Sequence, residues 1–249
     1  MKPIIAANWK MNKTVGESVL FAERLSNEFA KMEDKDIIIA PPFTALHSVA
    51  AVLKGSALHL SAQNMHWDEK GAYTGEISAG MLIDVGCEYV IIGHSERRNL
   101  FAEKDEYINQ KIKTAFKMNL KPIFCIGETL NERNLEKTFE ILRKQIKEGL
   151  NNILSDDIKR IVFAYEPVWA IGTGKTATAQ QAEEAHRYIR KVIIDLFGKD
   201  AGANNIRIIY GGSVNQENIA GLMDQPDING ALVGGASLNF ESFAKIINF

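Results

Sequence analysis

The sequence predicts an α/β fold in which eight parallel strands, each followed by a helix, close into a (β/α)8 barrel. Short apolar runs alternate with longer amphipathic runs along the whole chain, which is typical of a parallel sheet. Polar residues cluster where the apolar runs end, and 249 residues is an ordinary length for one such barrel. Because no linker, repeat or low-complexity segment interrupts the alternation, we expect residues 1–249 to form a single domain.

Each predicted strand is short and continuously apolar, as expected of a strand that is covered on both faces. Ile161, Val162 and Phe163 begin one example, which leads to Glu166 at its carboxyl end. Pro167 then ends the run, because proline cannot donate a hydrogen bond to the sheet. The eight predicted strands span residues 4–9, 36–40, 58–63, 89–93, 122–126, 161–165, 206–210 and 230–233.

Between the strands, apolar residues recur every three or four positions, which predicts amphipathic helices. Capping-box spacing at Thr129 and Thr178 marks the start of two helices, and Gly149 and Gly198 mark their ends. The repeating apolar positions are 21, 25, 29 and 32; 108, 112 and 115; 135, 139, 142 and 146; and 182, 185, 189, 192 and 196. Shorter helices are predicted at residues 45–53, 78–85, 216–223 and 240–247.

The polar residues that follow the strands favour a closed barrel over an open, doubly wound sheet. In a barrel all the strand ends lie on one face and can converge, whereas an open sheet holds its edge strands too far apart. The strand exits carry Asn8 and Lys10, Gln63 and Asn64, His94, Glu128, Glu166, residues 211–213, and Gly234 with Gly235.

The composition excludes several classes of protein. A formal net charge of −2 lacks the basic excess of a nucleic-acid-binding surface, and 46% hydrophobic with 24% charged residues is ordinary for a globular protein. No apolar run approaches the roughly 20 residues that span a bilayer. The first residues lack the pattern of a secretory signal, so a cytoplasmic location is expected. Cys87 and Cys125 form no CxxC pair and are expected to be reduced, packed thiols.

Glycine-rich loops predict a phosphate-binding site. YGGS at 210–213 and VGGAS at 233–237 follow the last two strands, where barrels often bind phosphate on backbone amides. The segment at 172–177 also fits a GxGxxA dinucleotide motif. That interpretation fails in context, because the motif should begin at the strand end and Asp195, its acidic residue, lies within a predicted helix.

Polar residues at the strand ends predict proton-transfer chemistry. Glu166 is the candidate base, and His94 is the candidate hydrogen-bond donor to a developing oxyanion. Lys10 and Asn8 are candidate electrostatic stabilisers. The remaining histidines show no metal-ligand spacing and no GxSxG nucleophile motif is present, so neither a metal ion nor a nucleophilic serine is expected. A base beside an oxyanion clamp suits removal of a proton next to a carbonyl group.

Seven motifs, in order along nearly the whole chain, closely resemble those of the triosephosphate isomerases. They are NWKMN at 8–12, AQN at 62–64, IIGHSERR at 91–98, CIGE at 125–128, YEPVWAIGTGKTA at 165–177, YGGSV at 210–214 and VGGASL at 233–238. The resemblance implies a TIM barrel that interconverts dihydroxyacetone phosphate and D-glyceraldehyde 3-phosphate in glycolysis and gluconeogenesis. It also implies that the reaction needs no cofactor and no metal.

The resemblance implies a role for each site residue. Glu166 would shuttle the proton between the two carbons, and His94 would polarise the carbonyl as a neutral imidazole. Lys10 would balance the substrate's charge, Asn8 would help to orient it, and Glu96 would be a supporting carboxylate. Backbone donors to the phosphate would be Gly172, Ser213, Gly234 and Gly235.

The resemblance also implies a role for each of two loops. The loop from Pro167 to Thr176 would close over the substrate, with hinges at residues 167–169 and 175–177, and would exclude water from the enediolate. The loop that begins at Asn64 and ends at Glu76 would insert into a second subunit, where Thr74 would approach the partner's site. A homodimer is therefore implied.

Two other functions fit part of the pattern. Another phosphate-binding barrel, either an isomerase or an aldolase, would carry similar glycine loops but a different catalytic set, such as a Schiff-base lysine inside a strand. None of the predicted strands carries such a lysine. A non-catalytic barrel retained as a scaffold is the second alternative, against which the presence of Glu166, His94 and Lys10 argues.

Overall fold

The computed structural model describes residues 1–172, 176–202 and 205–249. Within these residues eight parallel strands, β1 to β8, pair in chain order and close into a barrel where β1 meets β8. The strands are Ile4–Asn8, Asp36–Ala40, His59–Ala62, Tyr89–Ile92, Lys121–Ile126, Val162–Tyr165, Arg207–Tyr210 and Gly230–Val233. The predicted TIM barrel is confirmed, and each predicted strand end lies within one residue of the observed one.

Helices surround the barrel and cover its outer face. In the described part of the chain they are α1 to α12, at Val15–Phe29, Leu46–Leu53, Ala79–Asp84, Ser95–Leu100, Asp105–Lys117, Leu130–Asn134, Thr138–Gly149, Ser155–Ile158, Ala179–Phe197, Lys199–Gly202, Ile219–Met223 and Phe240–Ile247. Short 3-10 helices lie at Phe43–Ala45, Val168–Ala170 and Gly235–Leu238. Within the same ranges no helix combines the length and the apolar character that a bilayer span requires.

One helix prediction is wrong in its extent. The capping box at Thr129 is present, but the helix it starts ends at Asn134, and a second helix runs over Thr138–Gly149. Glu136 has a φ of 59°, which no helix accommodates, and Leu135 beside it is 57% exposed. The apolar spacing at Leu135 therefore did not indicate burial.

The two glycines expected to end helices act differently. Gly198 has a φ of 88° and directly follows α9, as predicted for a glycine stop. Gly149 is the last residue of α7 itself, and a Cβ added there would lie 2.5 Å from the Phe124 ring. The helix therefore ends at the predicted glycine, and glycine is also needed there because α7 packs closely on β5.

The direction of side chains along the strands places the polar residues. Alternate side chains of a strand point to opposite faces. Ile4 and Ala6 of β1, like Val162 and Ala164 of β6, belong to the cluster that fills the barrel interior. Asn8 and Glu166 continue these two series by one step, so both face inward at the carboxyl end of the barrel.

The opposite end of the barrel carries paired charges, which we call the amino-end network. Its members are Lys2, Asp36, His59, Glu88, Lys121 and Arg207. Asp36 pairs with Lys2 at 2.8 Å and with Arg207, while Nδ1 of His59 lies 2.8 Å from Glu88 and Nε2 lies 3.8 Å from Asp36. Asp36, followed by Glu88, raises the pKa of His59 to about 9. Although burial opposes it, the contacts with His59, Lys2 and Arg207 hold the pKa of Asp36 well below its usual range.

Candidate active site

A cavity of about 500 Å³ opens at the carboxyl ends of the strands. Eight of the nine predicted site residues line it: Asn8, Lys10, His94, Glu166, Gly172, Ser213, Gly234 and Gly235. The ninth, Glu96, is joined to the cavity through a 2.6 Å ion pair between its Oε1 and Nζ of Lys10. The structure therefore brings together residues that lie more than 200 positions apart in the chain.

Glu166 is buried at the end of β6 with one of its two oxygens unbonded. Its backbone N–H donates to the carbonyl of Ile126 at 2.7 Å, and its Oε2 accepts from the backbone N–H of Ser95 at 2.8 Å. Oε1 lies 3.0 Å from Nε2 of His94, yet makes no hydrogen bond with the described residues. Oε1 therefore keeps spare hydrogen-bonding capacity beside the imidazole, which makes Glu166 a candidate proton acceptor.

A neighbouring glycine lies directly against the side chain of Glu166. A Cβ at Gly211 would lie 2.9 Å from Cγ of Glu166 and 3.2 Å from the carbonyl oxygen of Tyr165. Glu166 is only 2% exposed but already lines the cavity, and its Oε2 is held by the Ser95 amide. A side chain at Gly211 would therefore displace Glu166 from this position.

The hydrogen bonds of His94 define which ring nitrogen carries a proton. His94 caps the start of α4, and its Nδ1 accepts a hydrogen bond from the backbone N–H of Glu96 at 3.2 Å. Because Nδ1 is an acceptor, the neutral ring carries its hydrogen on Nε2, the nitrogen that faces Glu166. His94 can therefore donate a hydrogen bond into the site without being charged.

Lys10 is held by a strained and tightly bonded backbone. Its φ is 52°, which is unusual for a lysine. Its N–H donates to Oδ1 of Asn8 at 3.0 Å, and its carbonyl accepts from Nε2 of Gln63 at 2.9 Å. These two bonds compensate the backbone cost and direct the ammonium group between Glu96 and the cavity.

The other side of the cavity is lined by backbone. Gly172 has a φ of 67°, and Gly234 and Gly235 begin the 3-10 helix that follows β8. The carbonyl of Ser213 accepts from Nδ2 of Asn218 at 3.0 Å, which fixes the loop after β7. Exposed backbone amides without side chains, close to a lysine, suit an anion such as phosphate.

The first part of the predicted lid is fastened to the barrel by Glu128. This buried carboxylate accepts from Nε1 of Trp169 at 2.9 Å and from the hydroxyl of Tyr165, and its backbone carbonyl accepts from Val168 N–H at 3.1 Å. Burial, followed by the negative charge of Glu128, raises the pKa of Tyr165. Part of the predicted second hinge, Lys175, lies outside the described residues, as do Thr173 and Gly174 of the lid.

Three contributors were missed as site residues by the sequence prediction. The backbone N–H of Ser95 binds Glu166, Gln63 clamps Lys10, and Glu128 anchors Trp169. Gln63 and Glu128 are polar residues at strand exits, which is the signal that could have identified them. The Ser95 contact uses only the main chain, so its residue type carries no signal at all.

Within the described part of the chain, the cysteines are buried thiols and the candidate metal ligands do not cluster. Cys87 and Cys125 are free and buried, as predicted, and burial raises the pKa of Cys87 to about 12. Burial is also the main cause of the raised pKa of Cys125. Across residues 1–172, 176–202 and 205–249, no group of three His, Cys, Asp or Glu side chains is arranged to hold a metal ion.

Comparison with known proteins identifies the family. The triosephosphate isomerase family profile matches residues 3–249. The triosephosphate isomerase of Geobacter metallireducens is 56% identical over 99% of this chain and 98% of its own. Those of Geotalea uraniireducens and Caldanaerobacter subterraneus are each 52% identical over 100% of this chain and 98% or 99% of theirs. On the strength of this full-length identity and of the barrel with its cavity, the chain belongs to the triosephosphate isomerase family.

Proposed function

We propose that the chain interconverts dihydroxyacetone phosphate and D-glyceraldehyde 3-phosphate through an enediolate. The observation that carries the proposal is the unbonded Oε1 of Glu166, 3.0 Å from Nε2 of His94 in a cavity with a glycine-lined side. A base, a neutral donor and an anion site are the three elements that proton transfer in a phosphorylated sugar requires. The family membership supports the same reaction.

Glu166 acts as the base in the proposed reaction. Its carboxylate leaves the Ser95 amide, removes a proton from the carbon beside the carbonyl, and returns that proton to the neighbouring carbon. Nε2 of His94 donates a hydrogen bond to the substrate oxygen on which negative charge develops, and then exchanges protons between the two enediolate oxygens. Both groups thus bind the intermediate more strongly than the substrate.

Lys10, Asn8 and Glu96 prepare the site around this pair. The ammonium group of Lys10 offsets the charge of the phosphate and of the enediolate. Asn8 holds the backbone of Lys10 and helps to orient the substrate, and Glu96 fixes the lysine side chain through their 2.6 Å ion pair. We infer no cofactor or metal for this chemistry, because it transfers only protons.

The phosphate is assigned to Gly172, Ser213, Gly234 and Gly235. These residues line the cavity together with Lys10. Closure of the loop at 167–176 would bring Gly172 onto the phosphate and remove water, which protects the enediolate from loss of phosphate. In this proposal residues 167–169 form the first hinge, because hydrogen bonds from Val168 and Trp169 to Glu128 hold this end of the loop on the barrel.

We also propose a homodimer that forms through the loop at 64–76. The base of this loop is ordered by ring stacking of His66 on Trp67, at 4.2 Å between centroids, and by a 2.8 Å hydrogen bond between Lys111 and Asn64. Its tip, residues 71–76, is exposed, although the ring of Tyr73 packs on His66 at 4.1 Å between centroids. Sedimentation equilibrium should give twice the chain mass, whereas a variant without residues 70–75 should sediment as a monomer.

Residues 1–249 act as one catalytic domain in this proposal, and its setting is cytoplasmic glycolysis and gluconeogenesis. Every strand of the barrel contacts its neighbours in chain order, which supports a single folding unit. The cytoplasmic setting follows from the substrate, since triose phosphates are intermediates of central carbon metabolism.

A coupled assay with dihydroxyacetone phosphate at increasing EDTA tests reaction and metal independence together. We expect full activity at every EDTA concentration. Loss of activity with EDTA would contradict a metal-free mechanism, and absence of activity would favour a scaffold. An aldolase that works through a Schiff-base lysine would instead be trapped on its substrate by borohydride. Lys121, the lysine that begins β5, could not serve as that lysine, because it lies at the amino end of the barrel and pairs with Glu88, away from the cavity.

A further inference from the structure

Lys13 lies beside the cavity and takes no part in the steps above. Its Nζ donates a hydrogen bond of 3.0 Å to the carbonyl of Leu238, 225 positions away in the chain. Leu238 is the last residue of the 3-10 helix Gly235–Leu238, and it lines the cavity. We propose that Lys13 is a positioning residue that fixes this 3-10 helix for phosphate binding, an inference that rests on the proposed function.

The backbone of Lys13 indicates that its side chain is needed. Its φ is 72°, a conformation that glycine adopts freely and that costs free energy for any residue with a Cβ. Such strain persists only where surrounding contacts compensate it, and it concentrates at functional sites. The side-chain contacts of Lys13 supply that compensation.

The side chain is held by two aromatic rings. The ammonium group lies 4.4 Å from the ring centre of Phe21 and 5.5 Å from that of Trp9. Trp9 is fully buried and lines the cavity. These cation–π contacts leave the ammonium little freedom and aim it at Leu238.

Lys13 forms no direct ion pair among the described residues, although Glu17 acts on its charge at a distance. Burial lowers the pKa of Lys13, and Glu17, the acidic residue that counteracts this at a distance, is bonded to the backbone and hydroxyl of Thr14. No ion pair joins Lys13 to a carboxylate of the described residues, whereas Lys10 is paired with Glu96. Lys13 therefore adds positive potential on the phosphate side of the cavity.

The start of the 3-10 helix Gly235–Leu238 is also fixed by hydrogen bonds. The N–H and the hydroxyl of Ser237 both donate to the carbonyl of Gly234, at 2.8 and 2.7 Å. With Lys13 on Leu238, the segment 234–238 is fixed at both ends, so the amides of Gly234 and Gly235 are oriented before the ligand arrives. Preorganised donors bind more tightly because less freedom is lost on binding.

The substitution Lys13→Met tests the proposal, because methionine keeps a stem that packs on the rings but has no donor and no charge. We expect KM for dihydroxyacetone phosphate and the inhibition constant of inorganic phosphate to rise about three- to tenfold, the loss expected for one hydrogen bond. kcat should stay within about twofold, because Glu166 follows β6 and His94 caps α4, and neither is part of the 3-10 helix that Lys13 fixes. Turnover of D-glyceraldehyde, which lacks the phosphate, should not change.

Two further variants separate positioning from stability. Lys13→Arg should restore most of the phosphate affinity, because the guanidinium can also reach the Leu238 carbonyl. Lys13→Gly removes the backbone strain, so it should unfold at no lower denaturant concentration than the wild type while binding phosphate as weakly as Lys13→Met.

Lys35→Met is the matched control. Lys35 also lies over an aromatic ring, 4.6 Å from the centre of Phe249, but it precedes β2 at the amino end of the barrel. Its KM should equal that of the wild type.

Unchanged KM and phosphate inhibition in Lys13→Met would overturn the proposal, as would an equal loss with D-glyceraldehyde. If the wild type had no isomerase activity, the proposed function would fail by itself. Calorimetry with inorganic phosphate would then still show whether Lys13→Met binds phosphate more weakly than the wild type.

Discussion

The two ends of the barrel use charged residues in opposite ways. In the amino-end network every charged side chain faces an opposite charge. Asp36 by itself contacts three cationic partners, Lys2, His59 and Arg207. At the carboxyl end Glu166 keeps an unbonded oxygen, and Lys10 has a strained backbone. One end of the barrel is therefore paired throughout, whereas the other keeps an oxygen of the candidate base free to accept a proton.

This separation has a physical basis in the parallel barrel. All the strands run in the same direction, so their carboxyl ends and the loops that follow them meet on one face. Loop changes on that face leave the strand starts untouched. Substitutions at the two ends should therefore have separable effects, on turnover at one end and on unfolding at the other.

The largest expected effect is that of Glu166→Asp. Shortening the side chain withdraws the carboxylate by about 1 Å, so we expect turnover to fall on the order of a hundredfold or more, with a smaller change in substrate binding. The coupled assay measures both quantities. Unchanged turnover would remove Glu166 as the base.

His94→Asn should lower turnover by roughly 10- to 100-fold, because asparagine cannot place its donor where Nε2 lies. Binding of a phosphate-bearing substrate analogue, measured by calorimetry, should stay largely intact. If the analogue no longer bound, His94 would have a structural role instead.

At the amino end, Asp36→Asn should lower the free energy of unfolding by about 2 kcal/mol, since it leaves Lys2 and Arg207 without their partner in a partly buried position. Turnover should be unchanged. Urea unfolding and the coupled assay on one preparation measure the two effects. A tenfold loss of turnover in this variant would show that the two ends are not independent.

The smallest effect concerns His59 and depends on pH. The pKa of His59 is raised from 6.5 to about 9 in the folded state. Its contribution to the free energy of unfolding is therefore fully present below pH 6.5 and is lost as pH rises through 9. His59→Gln should therefore be less stable than the wild type by about 1 kcal/mol at pH 6, after allowance for solvent screening, and equally stable near pH 10. Urea unfolding at pH 6, 8 and 10 provides the measurement. A difference that stays constant with pH would exclude a charged His59.

The sequence was sufficient to predict the barrel and the cavity residues, because both depend on order along the chain. Glu166 and Asn8 continue buried strands, so their position follows from strand direction alone. The bond from Ser95 N–H to Glu166 was not predictable, because it depends on the three-dimensional approach of α4 to β6. The break at Glu136 was missed since the apolar spacing of Leu135 imitated a continuous helix. The sequence indicates for His59 only the absence of metal-ligand spacing, whereas its ionic partners lie at the starts of the two neighbouring strands, where Asp36 begins β2 and Glu88 precedes β4.

Isomerisation of dihydroxyacetone phosphate in D₂O tests most directly whether the unbonded oxygen of Glu166 is the group that transfers the proton. A proton held on a carboxylate exchanges with solvent during the lifetime of the enediolate. We therefore predict that mass spectrometry will find deuterium at C2 of part of the D-glyceraldehyde 3-phosphate formed. Product without any solvent deuterium would contradict this account of a proton that exchanges with solvent while Glu166 holds it.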